Sequence, residues 1–432
     1  MHTAVNNVKQ THEVHKLGKT RDIMDEVNCL VDSLKDTNPT PVRSFSCWKL
    51  ARKCISPVFC KKLRVHGRVT EIFSHLHDAC SDPCLALITS AMMFLLSRDS
   101  LNMELNQDNL NLMLRLKKVD AAERGCLGAF ALNKLEKFKS TVMEILVKLP
   151  QETPAREIDL GFVTTGNLAM ESLLSLTFKQ AGGLFKEWSP WGLSHIVDFV
   201  TDCEHTLPED ISQDIQKTLP VLRKLNRCLE VLANITLLKS DSQIYLISYK
   251  NAVLVQACTR ILLWCQTCMP SYKMLENVEK NKALKDFPGY TILTCMLAAL
   301  TVLNIVTVEN ELRNLDSEME TSLMETIVQC LTTAHWYIPT EKRFELDLLC
   351  LGILRGLVQH KESYRKIMMS LQTDVKYTEK SQPKTMSAIK AVVELFVQRE
   401  EAAGNMYDDT SEEDEDNQSI LEDDDESYTE GH

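Results

Sequence analysis

Residues 164–198 of the chain read TTGNLAMESLLSLTFKQAGGLFKEWSPWGLSHIVD. Apolar residues in this stretch recur at steps of three and four, which is the period of a helix with one apolar face. Gly182 and Gly183 then permit a sharp exit from the helix. The members of the face are Met170, Leu173, Leu174, Phe178, Ala181 and Phe185. The stretch predicts a core-forming helix that ends in a charged surface turn, as expected of a recognition scaffold rather than a catalytic pocket.

Helical periods of the same kind recur along the chain, and no stretch shows a convincing strand alternation. One helix carries the apolar face Leu222, Leu225, Leu229 and Leu232, and another carries Leu346, Leu349, Ile353 and Leu357. Proline-containing loop signals separate the helices at residues 38–41 and 149–154. Asp82 and Pro83 are predicted to begin a helix, and Pro190, Pro208 and Pro339 mark further predicted helix starts. Consecutive helices joined by short turns predict an all-α fold, a HEAT-like or armadillo-like helical-repeat solenoid.

The loop signals and the charge distribution predict the domain organisation. Residues 1–20 are polar and basic and are predicted to be disordered, and the helical array is predicted in two parts, 21–149 and 155–406. Residues 407–432 carry thirteen Asp or Glu and no Lys or Arg, so the rest of a chain of net charge −12 is close to neutral. A disordered acidic tail is predicted there, and Ser411, followed by three acidic residues, is a predicted phosphorylation site.

Two features raise the question of a membrane or secreted location: one long apolar segment and a large number of cysteines. Residues 290–308, YTILTCMLAALTVLNIVTV, contain no charged residue and are nearly long enough to cross a bilayer. Four threonines, Asn304 and the lack of a positive-inside bias favour a buried helix at the centre of an all-helical stack. The fifteen cysteines are odd in number and follow no apolar signal region, so they are predicted to be reduced thiols packed in helices.

Further stretches resemble the wings-apart-like (Wapl) family, in the family's order along the chain. Residues 42–116 contain LRVHG, LHDA, MFLLSRD and LNMEL, residues 243–254 read QIYLISYKNAVL, and residues 343–358 and 395–403 are similar to later family segments. With residues 164–198 they span most of the range 22–403, which is far more specific than a short motif. On this resemblance the chain is identified as a member of the family.

The Wapl resemblance implies a cohesin-binding regulator that promotes release of cohesin from chromatin and so affects sister chromatid cohesion and chromosome segregation. The implied partners are the kleisin, the HEAT-repeat subunits and the SMC ATPase heads of cohesin, together with a Pds-type regulator. Neither enzymatic activity nor a cofactor is implied, because a releasing factor acts by binding the open ring state better than the closed one. The implied location is the nucleus and chromatin, with a fraction in the cytoplasm.

The sequence departs from the family pattern in three places. The family's long N-terminal region, with Phe-Gly-Phe motifs for the Pds-type partner, has no counterpart here, and the string FGF does not occur. The closing helices that follow the family's acidic insertion are also missing. Residues 188–191, WSPW, replace a more charged family segment. A truncated relative that binds cohesin without releasing it therefore remains an alternative.

A basic run between residues 42 and 70 is the main candidate contact surface. It contains no Asp or Glu and eight basic residues: Arg43, Lys49, Arg52, Lys53, Lys61, Lys62, Arg64 and Arg68. A solvated helix face is the simpler interpretation, and contact with an acidic partner surface or a phosphate backbone is the sharper one. The run is interpreted as lacking aromatic interleaving and groove-reading motifs, so sequence-specific nucleic-acid binding is not predicted. The predicted partner contacts are charged residues in family-like segments: Lys53, Arg64, Arg68, Glu171, Lys179, Lys186 and Glu187.

A helical redox or zinc protein is the alternative from another functional class. Cys265 and Cys268 have thioredoxin-type spacing, but they are predicted at the C-terminal end of a helix, where the helix dipole disfavours a thiolate. Zinc ligands could come from His66, His75, His77, Cys80 and Cys84, although their spacing does not suit a closed site. The sequence contains no phosphate-binding glycine loop, no GxSxG and no HExxH, so neither catalysis nor a bound metal is predicted.

Overall fold

The computed structural model describes residues 21–98, 106–126, 129–149, 163–180, 190–209, 215–272, 287–376 and 382–400. Most of these residues are helical, which confirms the predicted all-α fold. The helices are α1 (21–32), α2 (Thr40–Lys53), α3 (Pro57–Val65), α4 (Arg68–His75), α5 (Pro83–Ser97), α6 (Gln107–Cys126), α7 (Ala129–Val147), α8 (Thr165–Gln180), α9 (Pro190–Glu204), α10 (Ile215–Thr236), α11 (Ser240–Ser248), α12 (Val253–Cys268), α13 (Pro288–Val308), α14 (Ser317–Thr332), α15 (Thr340–His360), α16 (Glu362–Ser370) and α17 (388–400). The predicted disordered N-terminus, the acidic tail and Ser411 lie outside the described residues.

The chain divides into two compact units, Met1–Leu254 and Val255–His432. The first unit contains α1 to α11, the second contains α13 to α17, and α12 begins at the division. The loop signal that separates the two predicted parts of the array lies almost wholly outside the described residues, which resume at Val163. The division into 21–149 and 155–406 therefore stays a prediction.

Helix α5 lies at the centre of the first unit, because its sequence is apolar on every side. It packs against α2, α6, α7 and α8, and its residues from Cys84 to Ser97 are buried. Pro83 begins the helix, where a missing backbone N–H is tolerated. The Asp82 carboxylate caps the helix by accepting a hydrogen bond from the backbone N–H of Leu85 at 2.9 Å. The predicted helix start at residues 82–83 is confirmed.

Helix α8, which contains the first part of the stretch quoted first, packs against α5, α6 and α10. Met170, Leu173 and Leu174 are buried, as the apolar face predicts. Phe178 was expected on the same face, but 69% of its surface is exposed. The prediction is wrong at this position because burial near a helix end depends on which neighbouring helices reach that turn, and periodicity does not specify this. The last two members of the predicted face lie outside the described residues.

Helix α13 is the apolar helix of the second unit. Among the described residues, α13 is the one helix whose length and composition would allow it to cross a membrane. Its most apolar window of 18 residues is 72% buried inside the protein. It packs against α15, where a Cβ added to Gly356 would lie 2.5 Å from the carbonyl oxygen of Thr307. Only a glycine allows this approach of two helix backbones. The burial and the close packing support the interpretation of α13 as a core helix.

A short antiparallel hairpin, which the sequence did not reveal, follows α16. Strand β1 (Gln372–Val375) pairs with β2 (Lys384–Ser387), with Thr373 opposite Met386. Strand β1 packs against α14, where the hydroxyl oxygens of Thr373 and Thr332 lie 3.3 Å apart. Strands of four residues are too short for a period of two to stand out, so packing against α14 has to support them.

Candidate partner-binding surface

Arg43 belongs to the predicted basic surface by sequence, but the structure buries it, with 3% of its surface exposed. Its guanidinium donates hydrogen bonds to the carbonyl oxygens of Leu34 (2.9 Å) and His75 (2.8 Å) and to both carboxylate oxygens of Asp78 (2.8 and 2.5 Å). The bond with Asp78 raises the pKa of Arg43 and lowers the pKa of Asp78. Arg43 therefore fixes the position of α2, and its inclusion in the solvent-facing basic surface is wrong.

Two of the predicted contact residues of the run are engaged in ion pairs within the first unit. The Lys53 ammonium lies 2.7 Å from the Glu26 carboxylate, and Arg68 pairs with Glu71, three residues later on α4. Arg64, at the end of α3, is half-buried and pairs with no carboxylate among the described residues. Arg64 thus offers an uncompensated positive charge. A partner that used Lys53 or Arg68 would first have to displace Glu26 or Glu71.

Aromatic side chains lie among the basic residues of α2, which corrects the interpretation of the run as free of aromatic interleaving. The rings of Phe45 and Trp48 stack with centroids 5.5 Å apart. The Lys49 ammonium lies 4.7 Å from the centroid of Phe45, and the Arg52 guanidinium lies 5.5 Å from that of Trp48. The sequence contained the signal, because spacings of three and four residues bring these side chains together on a helix.

The remaining predicted contacts belong to α8 and the turn after it. Glu171 forms an ion pair with Arg227 of α10, and its side chain is only 17% exposed. Burial alone would lower the pKa of Arg227, but the neighbouring carboxylates of Glu171 and Glu230 raise it. In the structure Glu171 therefore connects α8 to α10, and its contact with a partner stays a prediction. The Lys179 side chain, Lys186 and Glu187 lie outside the described residues.

The residues proposed for redox chemistry are buried thiols. Cys265 and Cys268 both lie in the last turn of α12. A hydrogen bond with Cys295 and burial raise the pKa of Cys265, and burial raises the pKa of Cys268 to about 12. Both shifts disfavour the thiolate that a redox pair needs.

The proposed zinc ligands are spread over the end of α3, α4 and the start of α5. His66 and His77 are exposed, and Cys84 is buried. The described part of the chain holds no group of three or more His, Cys, Asp or Glu side chains arranged to bind a metal ion.

The family model described as "Wings apart-like protein regulation of heterochromatin" matches residues 7–364. The chain belongs to the Wapl family. The match covers all but the first six residues of the first unit and more than half of the second, and it contains all seven predicted contact residues. The family resemblance drawn from the sequence is therefore confirmed.

Relatives from three animals match nearly the whole Wapl-family chain. It is 33% identical over 423 residues to "Wings apart-like protein homolog" of Homo sapiens, covering 93% of this chain and 35% of that protein. It is 32% identical over 411 residues to "Protein wings apart-like" of Drosophila melanogaster, covering 92% of this chain and 23% of that protein. "Wings apart-like protein homolog 1" of Caenorhabditis elegans is 21% identical over 408 residues, covering 92% and 52%. The chain thus spans about a third of the length of the human relative and about a quarter of the Drosophila relative.

A comparison with solved structures gives a weak likeness to the chain described as "Crystal structure of Uso1-2". The TM-score is 0.31 at 10% sequence identity, over 86% of this chain and 57% of that chain. A likeness at this level carries no argument about fold or function.

Proposed function

We propose that the chain is a non-catalytic regulator that binds cohesin and promotes its release from chromatin. A releasing factor needs no chemistry of its own, but it has to bind an open ring state better than the closed one. The proposed partners are the kleisin, the HEAT-repeat subunits and the SMC ATPase heads, and the proposed location is the nucleus and chromatin. No observation supports the additional cytoplasmic fraction.

The observation that carries this proposal is the extent of the family match. It runs from residue 7 to residue 364 without being limited to one motif, and the human and Drosophila relatives align over more than nine-tenths of this chain. Such coverage supports a shared mode of action for the helical array. The relatives are much longer than the region aligned, so releasing activity of this chain by itself requires a direct test.

The surface that we propose for the contact with cohesin is centred on α3. Lys61 and Arg64 lie one turn apart there, beside Lys62, and no described carboxylate pairs with any of the three. Exposed cations that no carboxylate neutralises favour association with an acidic surface, mainly by raising the association rate. The pairs Lys53–Glu26 and Arg68–Glu71 contribute less, because a partner would have to break an existing ion pair.

The decisive experiment measures the residence time of cohesin on chromatin. Cells depleted of their own Wapl would express this chain or an empty vector, and recovery of fluorescent cohesin after photobleaching would report exchange. We expect the chain to shorten residence. The triple variant Lys61→Glu, Lys62→Glu, Arg64→Glu should lose most of this effect, and cohesin bound in a pull-down should decrease with it.

Charge reversal on a different helix of the same unit provides the control. Replacing three lysines of the α7 region with Glu changes the net charge by the same amount as the α3 triple variant. These residues are Lys134, Lys137 and Lys148. If the chain shortens cohesin residence and the α3 triple variant shortens it equally, the contact with cohesin lies on another surface. Cohesin binding with unchanged residence would instead favour the alternative, a Wapl-family scaffold that binds cohesin without releasing it.

A further inference from the structure

One face of α2 combines exposed apolar residues with uncompensated positive charge. Val42, Phe45, Lys49 and Arg52 follow one another at steps of three and four residues, so they form one stripe along the helix. Val42 is 44% exposed and Phe45 is 52% exposed, although both are large apolar residues. No described carboxylate pairs with Lys49 or Arg52. We call these four residues, together with Trp48, the α2 stripe.

The opposite side of α2 holds the stripe in place. Helix α2 packs against the buried helix α5, and the Cys47 sulfur lies 4.0 Å from the sulfur of Met92. Arg43 is bonded to two carbonyl groups and to Asp78. A partner that binds the stripe would therefore meet a helix that is already fixed, and little backbone entropy would be lost on binding.

The aromatic rings also order the two cations. Lys49 lies over Phe45 and Arg52 over Trp48, while the two rings stack on each other. Cation–π contacts of this kind favour one placement of a long side chain, even at an exposed site. The ammonium and guanidinium groups keep their remaining hydrogen-bond donors for an acceptor in solution. The stripe therefore presents two oriented donors beside apolar surface.

This arrangement suits a polypeptide better than a nucleic acid. Stacking of a base requires a whole ring face, and the rings of Phe45 and Trp48 each already contact the other ring and one cation. Less of each ring is therefore left for a base, although part of Phe45 stays exposed. A phosphate backbone would use the cations but would leave Val42 and the exposed part of Phe45 uncovered. A peptide that carries an apolar side chain among its carboxylates can satisfy both halves of the stripe.

We propose that the α2 stripe binds an acidic segment of a partner protein, with its carboxylates on Lys49 and Arg52 and an apolar side chain on Val42 and Phe45. The proposal rests on the proposed function in one respect, namely that the chain acts by binding protein partners. It does not require that cohesin be released, and its site lies on α2 rather than α3.

The test uses the full chain and fluorescence anisotropy with three probes. The first is a 20-residue peptide rich in Asp and Glu with Leu or Phe at every fourth position, the second has the same charge with Ser at those positions, and the third is a 20-base-pair DNA duplex. We expect the first peptide to bind most tightly. The double variant K49Q/R52Q should weaken it roughly tenfold, because two partly exposed charge pairs are worth about 1.4 kcal/mol together.

Two further variants separate the halves of the stripe. Val42→Ser should weaken binding of the Leu/Phe peptide and leave binding of the Ser peptide unchanged, since only the Leu/Phe peptide gains from apolar contact and Val42 contacts neither cation. The control K137Q/K148Q removes two lysines from the α7 region and should alter neither peptide. Circular dichroism and thermal unfolding of each variant would establish that the fold is retained.

Several outcomes would overturn the inference. An equal loss of peptide affinity in K49Q/R52Q and K137Q/K148Q would show that only the net charge of the chain matters. Equal affinities for the two peptides would show that the apolar side chains do not contribute to binding. Tighter binding of the duplex, lost in the same variant, would assign the stripe to nucleic acid. Peptide binding with unaltered cohesin residence would count against the proposed function alone, whereas shortened residence without peptide binding would count against the stripe alone.

Discussion

At the scale of single residues, the pair Arg43–Asp78 decides whether α2 can present a surface at all. Asp78→Asn keeps the shape but leaves the buried guanidinium without its counter-charge. We expect a loss of about 2 kcal/mol in the free energy of unfolding, the usual size for breaking a charged hydrogen bond that is partly exposed. Urea unfolding at pH 7 measures it. Glu136→Gln, an exposed carboxylate on α7, serves as the control and should cost far less.

The same pair has a pH dependence of defined sign. Because the folded state lowers the pKa of Asp78, its contribution to stability is present above the unfolded-state pKa of about 4 and is lost as the pH falls below it. The difference in unfolding free energy between the unmodified chain and Asp78→Asn should therefore shrink between pH 5 and pH 3. A difference that stayed constant over this range would show that the carboxylate charge is not what stabilises Arg43.

The cysteines give a second prediction at this scale. Among the described cysteines Cys29 is exposed, Cys80 is half-buried and the others are buried. We expect Cys29 to react fastest with a thiol reagent at pH 8, and Cys265 and Cys268 to react only after unfolding, because burial raises the pKa of Cys268 to about 12. Mass spectrometry of the modified chain locates each label. Rapid native labelling of Cys265 or Cys268 would revive the redox alternative, with Cys29→Ser as the control for background.

At the scale of elements, the packing of α13 against α15 depends on two glycines of α15. At Gly356 an added Cβ meets the backbone of Thr307 at 2.5 Å, whereas at Gly352 it meets the Asn304 side chain at 2.4 Å. Gly356→Ala should destabilise by about 1–3 kcal/mol, because helix backbones have to separate. Gly352→Ala should cost less, since Asn304 can rotate and alanine favours the helix by up to about 1 kcal/mol. Urea unfolding of the two variants compares them, and equal stabilities would contradict the close backbone packing.

At the scale of the whole molecule, charge is distributed very unevenly. Residues 407–432 carry thirteen acidic residues, and the rest of the chain is close to neutral. Removing these residues should raise the association rate of an acidic peptide at about 20 mM salt, because long-range repulsion is lost, and the gain should fade towards 0.5 M as the charges are screened. Stopped-flow fluorescence measures the rate. A chain with Asn and Gln in place of the thirteen acids separates charge from length, and a gain that persists at high salt would rule out the electrostatic explanation.

The sequence by itself determined the all-α class, the helix starts at Pro83 and Pro190, the core character of α13 and membership of the Wapl family. The first three follow from local signals, since periodicity and proline positions act over one or two helical turns. Family membership follows instead from similar segments in the family's order along most of the chain. The tertiary structure decided the rest. Arg43 is buried because the fold places Asp78, which lies 35 residues later in the chain, within hydrogen-bonding distance of its guanidinium. Phe178 is exposed because no neighbouring helix among the described residues covers its side chain at the end of α8. The α2 stripe likewise became a candidate surface once packing against α5 had fixed which side of the helix faces solvent.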